Sequence, residues 1–261
     1  MAERTLDAQV VVLRKIKLGE SDLILHLMDT SGSALEAIAK GARKPTSAHS
    51  ARLELFNSVQ VSFARGKNLD IVRETRLLRS HQRILADPVR FAAASVMAEA
   101  ADGCIQPELE VPRLFPMTQV AFAAVEGSSD EQAPLLVAAY LLKLTGFLGM
   151  RPSLLACAGC GEPLQGAPAA PRRFSYEDGG ALCGECAQLL STAPVEGSVL
   201  LRAGWLLGAT FDAILAASAG PEPWDVLQLA HRWFAHQTSL RLRSLPAFYS
   251  LCGCIQTASD L

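Results

Sequence analysis

The sequence predicts an α+β protein of several domains: an N-terminal five-stranded β-barrel of the OB type, an α-helical domain, and a four-cysteine ribbon inserted into that domain. Three observations carry this. Short apolar runs with strand periodicity and turn residues between them fill the chain up to Arg79, and the period turns helical from Ser80. Between Arg151 and Ala193 the helical period disappears and Gly, Pro and Cys dominate. With 261 residues, 50% of them hydrophobic and 19% charged, the chain has material for a sizeable core and little tendency to disorder.

Five strands are expected in the barrel. Ala8–Lys17 is rich in Val and Leu and ends at Gly19. Asp22–Met28 is stopped by Asp29-Thr-Ser-Gly32, and Ser33–Lys40 is followed by Gly41. Asn57–Ala64 alternates strictly, with Val59, Val61 and Phe63 on one face and Gln60 and Ser62 on the other. Arg65-Gly66-Lys67-Asn68 is a turn, and Leu69–Leu77 returns as the fifth strand. One longer connection, Gly41 to Phe56, completes the pattern of a small Greek-key barrel of the OB type, although an SH3-like barrel has the same strand count.

Pro88 stands at the first position of a helix in which Val89, Ala92, Ala93, Val96 and Ala100 recur at helical spacing. Pro116–Val125 and Pro134–Leu148 are two further helices. Ser198–Ala216 and Trp224–Leu242 are the last two, broken by Ala219-Gly-Pro-Glu-Pro223. The expected domains are therefore 1–79 (barrel), 80–150 (helical, first part), 151–193 (ribbon) and 194–261 (helical, second part). The apolar stretch from Pro134 to Met150 is too short to span a bilayer and carries Lys143, so it reads as a buried helix. No secretory signal is legible at the start, and seven cysteines with two Cys-x-x-Cys pairs fit a reducing compartment, so a cytoplasmic protein without a membrane partner is expected.

Cys157-Ala-Gly-Cys160 and Cys183-Gly-Glu-Cys186 are two knuckles separated by 22 residues. Each places two thiolates on one tight turn, and two knuckles complete the tetrahedral four-sulfur shell that zinc prefers. All four positions are taken, which leaves none for water or substrate and makes one Zn2+ ion a structural cofactor. A thioredoxin-type redox pair would need a strand before the motif and a helix after it, and that context is missing. Phe174-Ser-Tyr176 before Gly179-Gly180 reads as a short hairpin between the knuckles. Cys104, Cys252 and Cys254 read as core or incidental thiols.

The net charge of -2 conceals an asymmetry. Residues 1–83 hold fourteen Lys+Arg against nine Asp+Glu, and the remainder holds ten against seventeen. A basic first third on an acidic body points to a polyanion. Lys40-Gly-Ala-Arg43-Lys44 is a glycine-flanked basic turn leaving the third strand, where an OB fold lines its nucleic-acid groove. Arg14, Lys15 and Lys17 on the first strand, Arg52, and Arg65 and Lys67 in a turn extend the path. Only Phe56 and Phe63 lie in the barrel region as stacking candidates, and Phe63 reads as core, so binding should lean on charge, tolerate double strands and weaken with salt. The sequence shows no phosphate-binding glycine loop, no nucleophile elbow, no His-Glu-x-x-His and no acidic two-metal cluster, and the five histidines are scattered. No catalytic constellation is present, so a non-enzyme is expected.

These features, in order, resemble the bacterial RecO family of DNA repair and recombination mediators. The stretches that carry the resemblance are Gly19-Glu-Ser-Asp22, Ala39–Lys44, Leu69 with Arg73-Glu74, and Leu144–Gly149 with Arg151-Pro152. The first knuckle with Gly161, then Phe174-Ser with Gly179-Gly180 before Cys183, and finally Leu240–Leu245 complete the series. The resemblance implies an OB domain, a helical domain and a zinc ribbon. It implies binding of single- and double-stranded DNA, annealing of complementary strands without ATP, and partnership with RecR in loading RecA onto DNA coated by single-strand-binding protein. It also implies contact with the acidic C-terminal tail of that coating protein and a nucleoid-associated, cytoplasmic location. By position, Lys40, Arg43 and Lys44 are the leading DNA contacts, followed by Arg14, Lys17, Arg52, Arg65 and Lys67. An acidic tail ending in an apolar carboxylate needs an apolar pocket rimmed by cations, for which Arg113, Lys143 and Arg151 are the candidates. The competing reading is an adaptor whose barrel and ribbon contact only proteins.

Overall fold

The structure, a computed structural model, describes residues 5–164, 170–220 and 222–253. The chain divides into two compact units, Met1–Glu126 with Arg243–Phe248, and Gly127–Leu242 with Tyr249–Leu261.

The first unit is built on the barrel. Strand β1 (Thr5–Leu18) is long because it serves two neighbours: its first half pairs antiparallel with β4 (Ser58–Ala64) and its second half with β2 (Asp22–Asp29). Val10 and Val11 pair with both neighbours, and an irregularity between Val12 and Arg14 interrupts the ladder with β2 just beyond them. β2 continues into β3 (Ala34–Ala39), and β5 (Asp70–Arg79) pairs antiparallel with β4 and parallel with β3. The barrel closes in the order β1-β2-β3-β5-β4. This is the OB-type Greek key, since β4 crosses over to β1 before β5 returns to β3. The alternation of β4 has the expected consequence: Val59, Val61 and Phe63 are buried with Val10, Val12, Leu25, Leu27 and Leu53, while Gln60 and Ser62 stay half-exposed. Each such burial contributes about 1.5–3 kcal/mol.

Three helices belong to the same unit: α1 (Gln82–Ala86), α2 (Pro88–Cys104) and α3 (Leu114–Gly127). The Asp87 carboxylate accepts the Arg90 N–H at 2.9 Å and Pro88 fills the first turn, so α2 starts where its sequence dictates. Phe56 is the seam between barrel and helices. Its ring meets Phe122 edge-on at 5.1 Å and Phe91 at 5.7 Å, and its N–H donates to the Val12 carbonyl. These contacts hold it at φ 71°, a conformation that is costly for an aromatic residue. Phe56 and Phe63 are both buried, so neither is available to stack on a base. Below Phe122, the buried His81 Nδ1 lies 3.0 Å from Glu126. At the chain's return, Glu99 accepts the backbone N–H groups of Arg243 and Ser244, both at 2.8 Å.

The second unit centres on α4 (Ala133–Phe147), which is buried around most of its circumference and packs against α5 (Gly197–Gly208), α6 (Phe211–Ala216) and α7 (Pro223–Thr238). The single helix expected over Ser198–Ala216 is two. Ala209 turns extended, and the Thr210 hydroxyl accepts the Ala213 N–H at 3.1 Å, capping a new helix. Helix α7 stops earlier than expected because Ser239 adopts the left-handed conformation. A short helix, α8 (Leu245–Leu251), follows where none was expected. Among the described residues, no helix is long and apolar enough to cross a membrane.

Candidate metal centre and basic loop

The ribbon is a three-stranded sheet in the order β7-β6-β8, formed by β6 (Arg172–Ser175), β7 (Gly180–Leu182) and β8 (Ala193–Val195). The hairpin β6–β7 carries Cys183 directly after its second strand. The first knuckle is tied to that hairpin by Ala158 N–H donating to the Ala181 carbonyl at 2.8 Å. Inside the knuckle, Gly161 N–H donates to the Cys157 carbonyl at 2.8 Å. Gly159 suits a close approach: a Cβ there would stand 3.1 Å from the Cys186 sulfur, a tight contact that would press on the cluster. The ribbon also shares a core with the helices of its unit. Phe174 is buried with its ring edge-on to Trp233 of α7, and Trp233 Nε1–H donates to the Met150 carbonyl at 3.0 Å.

The sulfurs of Cys157, Cys160, Cys183 and Cys186 all lie within 4.8 Å of one another. A tetrahedral shell with metal–sulfur bonds of about 2.3 Å has sulfur–sulfur edges of about 3.8 Å, and the Cys160–Cys183 pair is 3.9 Å apart. Burial works against the Cys157 thiolate. Backbone N–H groups of Cys183, Cys160 and Gly159 outweigh it and lower the thiol to about 6. Cys186 is pushed up to about 12, first by its neighbour Cys183 and then by Cys157. Four thiolates this close repel, and one cation among them removes that conflict. The donor set therefore fits a metal ion held entirely by protein sulfur. The other thiols differ: Cys104 is held by burial at about 12, Cys252 is half-buried, and Cys254 lies outside the described residues.

The basic loop leaves β3 at Ala39. Ala42 is buried in the barrel core and pins the loop from inside, while Lys40, Arg43 and Lys44 are exposed. Gly41 takes φ +65°, the left-handed value that lets the chain reverse here. The further cations of the expected path separate into two groups. Lys17, Lys40, Lys44, Arg65 and Lys67 are exposed and make no ion pair among the described residues. Arg14 is engaged instead: its guanidinium lies 3.5 Å from Asp102 and 3.0 Å from His26 Nε2. Arg52 Nη1–H donates to the Thr75 carbonyl at 2.7 Å, docking the β3–β4 connection on β5. Lys15 pairs with Glu54 at 2.7 Å. Sequence spacing cannot reveal the Arg14–Asp102 pair, because the partner comes from α2.

Arg113 is exposed in the first unit. In the second, Lys143 donates to the Leu207 carbonyl at 3.0 Å, and burial, then the Arg151 guanidinium, lowers its pKa. Arg151 is exposed. An apolar pocket of about 200 Å³ in this unit is lined by Leu154, Leu155, Leu164, Leu200 and Leu201, and its cation is Arg172, a residue that sequence reasoning did not single out.

Comparison with known proteins gives one answer along the chain. Residues 1–81 match the family model described as recombination protein O, N terminal, and residues 85–246 match recombination protein O, C terminal. The chain is 35% identical over 190 residues to the DNA repair protein RecO of Desulfitobacterium hafniense (strain DSM 10664 / DCB-2), covering 73% of this chain and 67% of that protein. It is 34% identical over 206 residues to the DNA repair protein RecO of Nocardioides sp., covering 77% and 82%. A third relative, the RecO of Roseiflexus sp., is 33% identical over 187 residues, covering 72% and 64%.

Proposed function

The chain belongs to the RecO family, and from that premise we propose that it is a DNA repair protein acting as a recombination mediator without catalysing a reaction of its own. It binds single- and double-stranded DNA through the basic loop and anneals complementary strands without ATP. With RecR, it helps load RecA onto DNA coated by single-strand-binding protein. The observation that carries the reading is the exposed trio Lys40, Arg43 and Lys44, held on a pinned loop at the edge of an OB-type barrel. Cations so placed neutralise phosphates, which lowers the repulsion between two strands and leaves their bases free to pair. Lys17, Arg65 and Lys67 extend the same path, whereas Arg14 and Arg52 act mainly by holding the barrel's attachments. This work belongs in the cytoplasm, at the nucleoid.

The four-cysteine cluster holds one Zn2+ in a structural role. Cys157, Cys160, Cys183 and Cys186 would each give one thiolate, and the ion ties the two knuckles to the β6–β7 hairpin. Phe174 and Trp233 share the burden of folding, so the metal organises the ribbon's outer edge while the helices support its inner face. The acidic tail of single-strand-binding protein is assigned to the second unit, where Leu155, Leu201 and Arg172 line a pocket of suitable chemistry, with Arg151 and Lys143 on the same unit. Arg113 is the candidate on the first unit.

A gel shift with single- and double-stranded oligonucleotides at low and moderate salt tests the DNA-binding core of this proposal. Salt-sensitive binding of both forms is expected; no binding at low salt would leave an adaptor that meets only proteins.

A further inference from the structure

We propose that Asp22 is the positioning residue of the basic loop: its carboxylate straps the β1–β2 turn to Gly41, so that Lys40, Arg43 and Lys44 face a nucleic-acid backbone as one set. The inference rests on the DNA-binding reading above. A carboxylate beside a phosphate-binding loop repels the ligand by charge, so its presence there calls for a reason. The hydrogen bonds supply one. Asp22 Oδ1 accepts the Gly41 N–H at 2.8 Å and the Ser21 hydroxyl at 2.8 Å. Beside it, the Arg43 N–H donates to the Ser21 carbonyl at 2.9 Å, and Arg43 Nη1–H donates to the Gly19 carbonyl at 3.0 Å. The turn Gly19–Asp22 and the loop 40–44 are thus one bonded unit, with Ala42 buried beneath it.

The Gly41 N–H first, then the Ser21 hydroxyl, hold the Asp22 carboxyl below the usual carboxylate range, and Lys40 and Lys44 add to the effect. Asp22 therefore stays ionised near neutral pH, and its bond to Gly41 is a charge-assisted one. Without this acceptor only the two Arg43 bonds still tie the loop to the β1–β2 turn, and the three cations sample orientations that no longer converge on one backbone. The structure so gives Gly19-Glu-Ser-Asp22 a role in DNA binding without any of its own side chains needing to touch DNA.

The test compares Asp22→Ala with Asp22→Asn in the full chain, using fluorescence anisotropy on labelled single- and double-stranded oligonucleotides over a salt series. Both substitutions remove one negative charge, so charge alone makes both variants bind more tightly, and equally so. The strap separates them. Asp22→Asn keeps an oxygen for the Gly41 N–H and binds at least as tightly as the parent. Asp22→Ala binds about tenfold more weakly, and its salt slope falls by about one phosphate equivalent. Hydrogen exchange at Gly41–Lys44 rises in Asp22→Ala and not in Asp22→Asn, with equal melting temperatures excluding global unfolding. Equal affinities of the two variants, or tighter binding by Asp22→Ala, overturn the proposal. Failure of the parent protein to bind either DNA overturns the DNA-binding reading and this role with it, whereas hydrogen exchange still reports whether Asp22 holds the loop.

Discussion

Replacing Lys40 and Lys44 together by Ala should change how DNA affinity depends on salt by an amount the structure sets. Both side chains are exposed and make no ion pair among the described residues, so each is available for one phosphate. On duplex DNA, each phosphate contact contributes about 0.9 to the slope of log K against log salt, and on single strands about 0.7. Losing two contacts therefore flattens the slope by about 1.8 on duplex and about 1.4 on single strands. Raising salt fourfold weakens binding by about 3.5-fold for every duplex contact, so the double variant should lose about 12-fold less affinity over that range than the parent. Lys15→Ala is the control, because Lys15 is paired with Glu54 at 2.7 Å and should leave the slope unchanged. Anisotropy titrations of labelled duplex and single-stranded oligonucleotides measure both. An unchanged slope in the double variant, or an equal change in Lys15→Ala, would refute the assignment of phosphate contacts to the loop.

Cys157→Ser should abolish stoichiometric zinc, read by elemental analysis of the purified protein, and lower the melting temperature of the second unit; full metal content would remove Cys157 from the ligand set. Burial holds His81 below its ordinary 6.5, so the unfolded chain binds its proton more readily than the folded one. Its contribution is present above that pH and is lost as pH falls further; the acid-side loss of stability, followed by thermal melts, should shrink in His81→Gln. Leu53→Ala empties a fully buried site under the β3–β4 connection and should cost about 2–5 kcal/mol in denaturant unfolding.

The parts of the fold that were legible in the sequence are those decided locally. The alternation Val59-Gln60-Val61-Ser62-Phe63 fixes which face of β4 is core, and barrel closure leaves that face no other place to go. Two Cys-x-x-Cys knuckles announce their cluster because each brings its own pair of sulfurs together, and the hairpin between them supplies the rest. What was not legible depends on distant partners. Phe56 looks like a loop aromatic until Phe91 and Phe122 close over it. Arg14 looks like a free cation until α2 brings Asp102 beside it. The break at Ala209-Thr210 was hidden because the apolar period runs on across it, and only the hydroxyl of Thr210 marks the new start. Strand β8 is three residues with Pro194 in the middle, too short to show a period, and it forms because β6 has an open edge.

The most direct test of the central claim is annealing of two complementary labelled oligonucleotides, each coated with single-strand-binding protein, with no nucleotide present. The account predicts that the protein accelerates annealing, that salt suppresses the acceleration, and that the Lys40→Ala/Lys44→Ala variant largely loses it. Annealing no faster than the coated strands achieve alone, by a protein whose melting curve shows it folded, would contradict it.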